Sequence, residues 1–287
     1  MIFYRKELLE LLPPWLRATM QDTSAVGQAR EIRIRMGQAP QVVLSGGEWY
    51  PSTRRIGQED IQYIINNASG FSAYASASMA HGYLTAEGGH RIGLCGTAIV
   101  REGRVSGFRD VTSLCIRVAR DIPGVAQGLE KRIGTGSVLI LGPPGSGKTT
   151  LLRDLIRRIS DLRREQVCVV DERCELFPVT GPRVQFSPGI RTDVLSGLEK
   201  GVGIEMALRS MSPAWIAVDE ITGLGDCDVM EKSSYTGVRF LATIHARDRE
   251  DLWRRPVYRQ LMAANLFDVA IRMERNQNYD VEELKNK

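Results

Sequence analysis

Histidine, paired cysteine and long apolar runs are all scarce in this chain, and each scarcity removes a class of function. It has three histidines and five cysteines in 287 residues. An odd number of cysteines without a C-x-x-C pair provides neither a disulfide framework nor a familiar zinc-ligand spacing. A reducing, cytoplasmic setting is the expectation. No apolar run approaches the roughly 20 residues needed to cross a bilayer. The first dozen residues carry Arg5, Lys6, Glu7 and Glu10 where a signal peptide would need an apolar core. Membrane association is therefore expected to be peripheral and through partners. Charge of one sign is missing as well. The net +4 is spread as 14 basic and 11 acidic residues over positions 1–125, and 24 and 23 thereafter. That balance, with no run of basic and aromatic residues for base stacking, argues against nucleic acid as a partner. No Asn-Lys-x-Asp stretch is present to read guanine, which argues against a GTP-dependent switch, and there is no internal repeat.

What remains is an ordinary globular composition, 43% apolar, in a chain longer than a usual single domain, so two domains are expected. Residues 1–122 read as a smaller α+β domain. Alternation at 31–35 (EIRIR) and the run 41–44 (QVVL) suggest a hairpin, and residues 58–68 an amphipathic helix, with a second at 73–81. Strands follow at 83–85, 91–95, 98–100 and 113–118. Glycine and proline between 121 and 136 mark a linker, placed at 123–136. Residues 137–287 read as a nucleotide domain with strands at 138–141, 167–170, 215–218 and 240–244. Short, continuously apolar strands alternating with helices imply a parallel sheet covered on both faces.

The chemistry gathers at the ends of those four strands. After the first comes Gly142-Pro143-Pro144-Gly145-Ser146-Gly147-Lys148-Thr149, followed by Thr150 and a helical pattern. Strand, glycine-rich loop and helix in that order make a phosphate-binding loop. Backbone N–H groups and the helix N-terminus would take the phosphates, Lys148 would reach the outer ones, and the Thr149 hydroxyl would face Mg²⁺. The third strand ends in Asp219-Glu220. Asp219 would hold Mg²⁺ through water, and Glu220 would orient the attacking water or complete the metal shell. The second ends in Asp171-Glu172-Arg173-Cys174-Glu175, where one carboxylate is a candidate base and Glu172 and Arg173 could equally pair with each other or with Arg183. The fourth ends in His245, a candidate phosphate sensor or subunit contact. The stretch 248–256, with Trp253 among charges, reads as a solvated helix face or a docking surface.

These four places together resemble the secretion ATPases of type II and type IV systems, and within them a sporulation branch. The phosphate loop, an acidic box at 171–175, a second nucleotide motif at 217–220 and a histidine box at 242–245 all fall into place. The stretches 31–35, 88–93, 191–194, 208–213 and 254–256 point to the branch. The resemblance implies a RecA-like P-loop NTPase domain behind an α+β N-terminal domain, with ATP and Mg²⁺ as cofactors. It also implies arginines lent by the N-terminal domain, here Arg91 and Arg117, with Arg120 a further candidate. Either Glu172 or Glu175 would serve as the box carboxylate. Further implications are a ring, expected to be a hexamer, and integral membrane partners of a complex between mother cell and forespore. The rival readings are a RecA-like motor stimulated by nucleic acid and an ATP-binding scaffold with little turnover.

Overall fold

The computed structural model describes residues 2–3, 5–70, 79–80, 82–180, 182–247, 249–275 and 278–284. The helix expected at 73–81 lies outside them, apart from Met79 and Ala80, which are helical. The chain divides into two compact units, residues 1–121 with 179–186, and residues 122–178 with 187–287. The insertion of 179–186 into the first unit had no counterpart in the sequence reading. Residues 123–136, expected as a linker, group with the second unit.

The first unit begins with a short strand β1 (Ile2–Phe3) and helices α1 (Arg5–Leu11) and α2 (Pro14–Met20). Its sheet is built from β2 (Ala29–Arg35), β3 (Gln41–Leu44), β4 (Gly47–Trp49), β5 (Tyr83–Thr85), β6 (Arg91–Arg101) and β7 (Arg104–Arg117). Spatial order is β4-β3-β2-β7-β6-β5, antiparallel throughout. One face packs on helix α3 (Gln58–Ser69) and α1: Leu8, Leu12, Ile32, Ile34, Ile61, Ile64, Ile92 and Ile116 are fully buried together. Asp60 fixes the start of α3 by accepting the Gly57 N–H, and Gly70 closes it in the left-handed region. The strands expected at 91–95 and 98–100 are one strand, β6. Gly96 makes a bulge where an added Cβ would lie 2.7 Å from Val111 Cα. Strand β8 (Arg120–Asp121) pairs with β1.

The second unit carries a helix α4 (Leu129–Arg132) and then a seven-stranded sheet. Its strands are β9 (Val138–Leu141), β10 (Val167–Asp171), β13 (Thr192–Ser196), β14 (Trp215–Val218), β15 (Arg239–Ile244), β16 (Val269–Met273) and β17 (Tyr279–Glu283). The intervening β11 (Val179–Thr180) and β12 (Arg183–Val184) form the hairpin of the first unit. Within that unit Gln185 accepts the Gly88 N–H at 2.7 Å. Order in the large sheet is β13-β10-β14-β15-β9-β16-β17. All neighbours are parallel except β16 and β17, so the sheet is mixed rather than purely parallel.

Every residue of β9, β10 and β14 is buried, as strands covered on both faces require. Helices α5 (Lys148–Arg158), α6 (Lys200–Ser210), α7 (Leu224–Ser234), α8 (Arg249–Arg254) and α9 (Pro256–Ala263) follow strands in turn. The C-terminal ends of β9, β10, β14 and β15 therefore lie side by side. An open α/β sheet of this kind places its ligand there. Trp253, on α8, is about half exposed, at 47%.

Candidate functional site: the strand ends of the second unit

The loop after β9 needs its glycines. Gly145 and Gly147 have φ of 76° and 95°, in the left-handed region, which side chains with a Cβ rarely enter. A Cβ on Gly142 would lie 2.7 Å from Ser146 Oγ and 2.8 Å from the Met273 carbonyl oxygen. The Ser146 hydroxyl is buried without a hydrogen-bond partner inside this cradle. Helix α5 starts directly after it, with its N-terminus toward the loop.

Lys148 is buried, and its ammonium donates to the carbonyls of Gly142 (2.9 Å) and Pro143 (3.0 Å) and to His245 Nδ1 (2.9 Å). Burial pulls its pKa down, and the charges of Asp219 and Glu220 partly restore it. A charged Lys148 makes Nδ1 the acceptor, so the His245 proton sits on Nε2, which lies 3.3 Å from Glu220 Oε1. Glu220 also pairs with Arg173 at 2.9 Å. Lysine, histidine, glutamate and arginine thus form one chain across four strand ends. Its outer link is weak, because Arg173 is 60% exposed.

Asp219 accepts from the Thr149 hydroxyl at 3.0 Å through one oxygen, and from Thr243 Oγ1 (2.6 Å) and the Glu220 N–H (3.0 Å) through the other. The Glu220 N–H also reaches Thr243 Oγ1 at 2.9 Å. Glu220 has φ of 41°, a costly conformation for a side-chained residue that its surroundings must hold in place. Thr243, 1% exposed and next to the last residue of β15, supplies that hold. Replacing it by valine keeps the shape and removes both bonds. The expected loss is about 1–3 kcal/mol of stability, read by urea denaturation, together with a fall in nucleotide turnover. A variant as stable and as active as the parent would show that Thr243 only fills space.

The acidic box is pinned by its first residue. Both oxygens of Asp171 accept backbone N–H groups, from Glu175, Leu176 and Phe177, each at 2.9 Å. Burial nevertheless raises its pKa. Arg153 on α5 holds the same loop through the carbonyls of Leu176 (2.6 Å) and Glu175 (2.8 Å). The loop so fixed sends its two glutamates to different places. Glu172 pairs with the buried Lys200, which is also 3.8 Å from Asp226. Glu175 instead borders a cavity of about 450 Å³ with Gly145, Gly147, Lys148, Thr149, Thr150, Asp219, Glu220, Thr243 and His245. A smaller cavity of about 90 Å³ is bordered by both glutamates, Glu172 and Glu175, with Lys200, Thr222, Asp219 and Glu220. The pairings considered for Glu172 and Arg173 with each other or with Arg183 do not occur; Arg183 approaches Glu87 at 3.8 Å in the first unit.

Arg91 and Arg117 belong to the first unit, where they face each other across β6 and β7. Arg91 lies over the Tyr83 ring at 3.8 Å. Arg120 is partly buried, donates to the Ala29 carbonyl at 2.8 Å and has its pKa lowered by that burial. Thr243, Arg153, Lys200 and Asp226 were not singled out from sequence. A polar residue inside the apolar run of β15 was the one available signal, and it pointed to Thr243.

The adjacent Thr149 hydroxyl and Asp219 carboxylate suit Mg²⁺, which keeps several waters and takes its remaining ligands from phosphates. Among the described residues no three histidine, cysteine or carboxylate side chains converge on a metal position. Also among them, no helix is long and apolar enough to cross a membrane.

The fold is that of the type II and type IV secretion ATPases, to which the chain is related. The pilus retraction motor PilT, solved with bound ADP, superposes with a TM-score of 0.66 at 16% identity, covering 94% of this chain and 83% of that one. The type II secretion system protein HxcR of Pseudomonas aeruginosa is 32% identical over 128 residues, 44% of this chain and 26% of its own length. Within that group, residues 4–283 match the family described as sporulation stage III, protein AA, and the chain belongs to it. The stage III sporulation protein AA of Bacillus subtilis is 34% identical over 279 residues, 94% of this chain and 91% of its length.

Proposed function

We propose that this chain is a Mg²⁺-dependent ATPase whose turnover serves a sporulation membrane complex. The observation that carries the reading is one cavity bordered by Lys148, Thr149, Asp219, Glu220, Glu175 and His245. Loop N–H groups and the α5 N-terminus bind the phosphates, and Lys148 exchanges its carbonyl and histidine partners for phosphate oxygens. Thr149 and Asp219 hold Mg²⁺, which when bound offsets charge on the outer phosphates. Glu220 orients the attacking water and accepts its proton. Glu175 is the box carboxylate on that cavity, because Lys200 occupies Glu172. His245, between Lys148 and Glu220, senses whether the lysine has been drawn away. Arg91 and Arg117 contact the outer phosphate during turnover.

Assembly into a ring, docking on integral membrane proteins, and a place at the mother-cell side of a complex facing the forespore belong to the same reading. They are supported by the family and by the secretion names of its relatives. The test is the ATPase rate of the full chain against its own concentration, with and without nucleic acid. Specific activity that rises with protein concentration and ignores nucleic acid is expected. In the same assay Arg91→Ala and Arg117→Ala should keep nucleotide binding and lose turnover. Stimulation by nucleic acid would favour a RecA-like motor, and absent hydrolysis at every concentration would favour a scaffold.

A further inference from the structure

Lys200 is a charge in a place that disfavours it. It is the first residue of α6 and only 6% exposed, so its ammonium is taken out of water and set at the positive end of a helix. The helix start is fixed as well, since a Cβ on Gly203 would lie 2.4 Å from Val170 Cγ1 of β10. Two carboxylates meet the ammonium. Glu172 in the acidic box pairs with it, and Asp226 in the first turn of α7 lies 3.8 Å away. Each leads to Glu220. Glu172 is followed by Arg173, whose guanidinium holds the Glu220 carboxylate at 2.9 Å. Asp226 Oδ2 also accepts the N–H groups of Thr222 (3.0 Å) and Gly223 (3.2 Å), just after Glu220 in the chain.

We propose that Lys200 is a positioning residue for hydrolysis, acting through Glu220: its charge ties the acidic box to the start of α7 and holds Glu220 between them. The proposal rests on the ATPase reading and adds a residue that works without touching the nucleotide. Glu220 stands at φ of 41°, a conformation that persists only where the surroundings impose it. Thr243 takes its N–H on the β15 side. The two routes from Lys200 secure its carboxylate and the chain that follows it.

Charge gives the same residue a second reason to be there. The cavity of about 90 Å³ is bordered by the carboxylates of Asp171, Glu172, Glu175, Asp219 and Glu220, which repel one another at such range. Arg173 is 60% exposed, whereas the Lys200 side chain is 8% exposed, so water screens the lysine less. A displacement of about 1 Å at a reacting group costs about 100-fold in rate. A buried ion pair replaced whole by apolar side chains often leaves stability unchanged, whereas loss of one partner is strongly destabilising. That difference separates a positioning role from a stabilising one.

The full chain carrying Lys200→Met and Glu172→Leu together is expected to melt within about 5 °C of the parent. It should bind ATP with parental affinity and show kcat lowered by about 10- to 100-fold. Lys200→Met alone, which keeps Glu172, should lose kcat equally at a lower melting temperature. In a Glu220→Gln background the double substitution should cost no further rate in single-turnover hydrolysis, because residues that act as a unit are not additive. Should the single variant fail to fold, that comparison decides alone. Parental kcat in a stable double variant would overturn the proposal. So would a melting temperature that falls with activity in both variants, which would leave Lys200 a stabilising residue only. A loss of kcat confined to the double variant would assign it to Glu172 itself, and an additive loss in Glu220→Gln would break the link to Glu220. A parent that hydrolyses no ATP would overturn the ATPase reading and this proposal together.

Discussion

Alanine in place of Lys148 leaves the chain folded and lowers nucleotide affinity by at least about 100-fold, the equivalent of about 3 kcal/mol. The side chain is buried among two loop carbonyls and the His245 ring, so its charge sits where water screens it least and acts fully on a phosphate. Folding survives because α5 is held by Leu151, Leu152, Leu155 and Ile156, all at most 1% exposed, and by Arg153. Titration with labelled nucleotide beside a circular dichroism spectrum reads both halves of the expectation. Near-parental affinity in a folded variant would remove Lys148 from the phosphate site and, with it, the assignment of the loop.

Glutamine in place of Glu220 is expected to leave ATP bound and slow its hydrolysis by about 10²- to 10⁴-fold, the range for losing a positioned base. An amide keeps the size of the side chain and one acceptor for Arg173 and His245, but it no longer takes a proton. Single-turnover hydrolysis of prebound ATP separates the two effects. Cleavage at the parental rate would move the base to Glu175, the other glutamate on the cavity.

The strands that carry this site were legible in the sequence because both of their faces are covered. Residues 138–141, 167–170 and 215–218 are apolar at every position, and that signal survives without knowing their partners. Strands β13 and β17 were not legible. Thr192–Ser196 and Tyr279–Glu283 lie at the two edges of the sheet, partly exposed, and are strands through pairing with β10 and β16. Strand β16, apolar but interrupted by Arg272, was passed over for the same dependence on neighbours. In the first unit Gly96 looked like a break between strands, whereas it is the bulge that lets one long strand bend.

The site divides in the same way. Lys148, Thr149, Asp219 and Glu220 belong to contiguous motifs whose spacing carries their chemistry. The choice between Glu172 and Glu175 depends on Lys200 and on three backbone N–H groups folding onto Asp171. Those partners meet only once α6 and the box loop are in place, so neither glutamate could be preferred from residue order.

The first unit is not a contiguous stretch of gene. A polypeptide ending at residue 121 would lack the hairpin 179–186 and the side chain that takes the Gly88 N–H. One starting at 122 would carry that hairpin without the first-unit residues it groups with. Dissection at the boundary that composition suggests therefore yields two incomplete pieces. Expression of the halves, domain exchange between relatives and interpretation of limited-proteolysis fragments all have to treat the chain as interleaved.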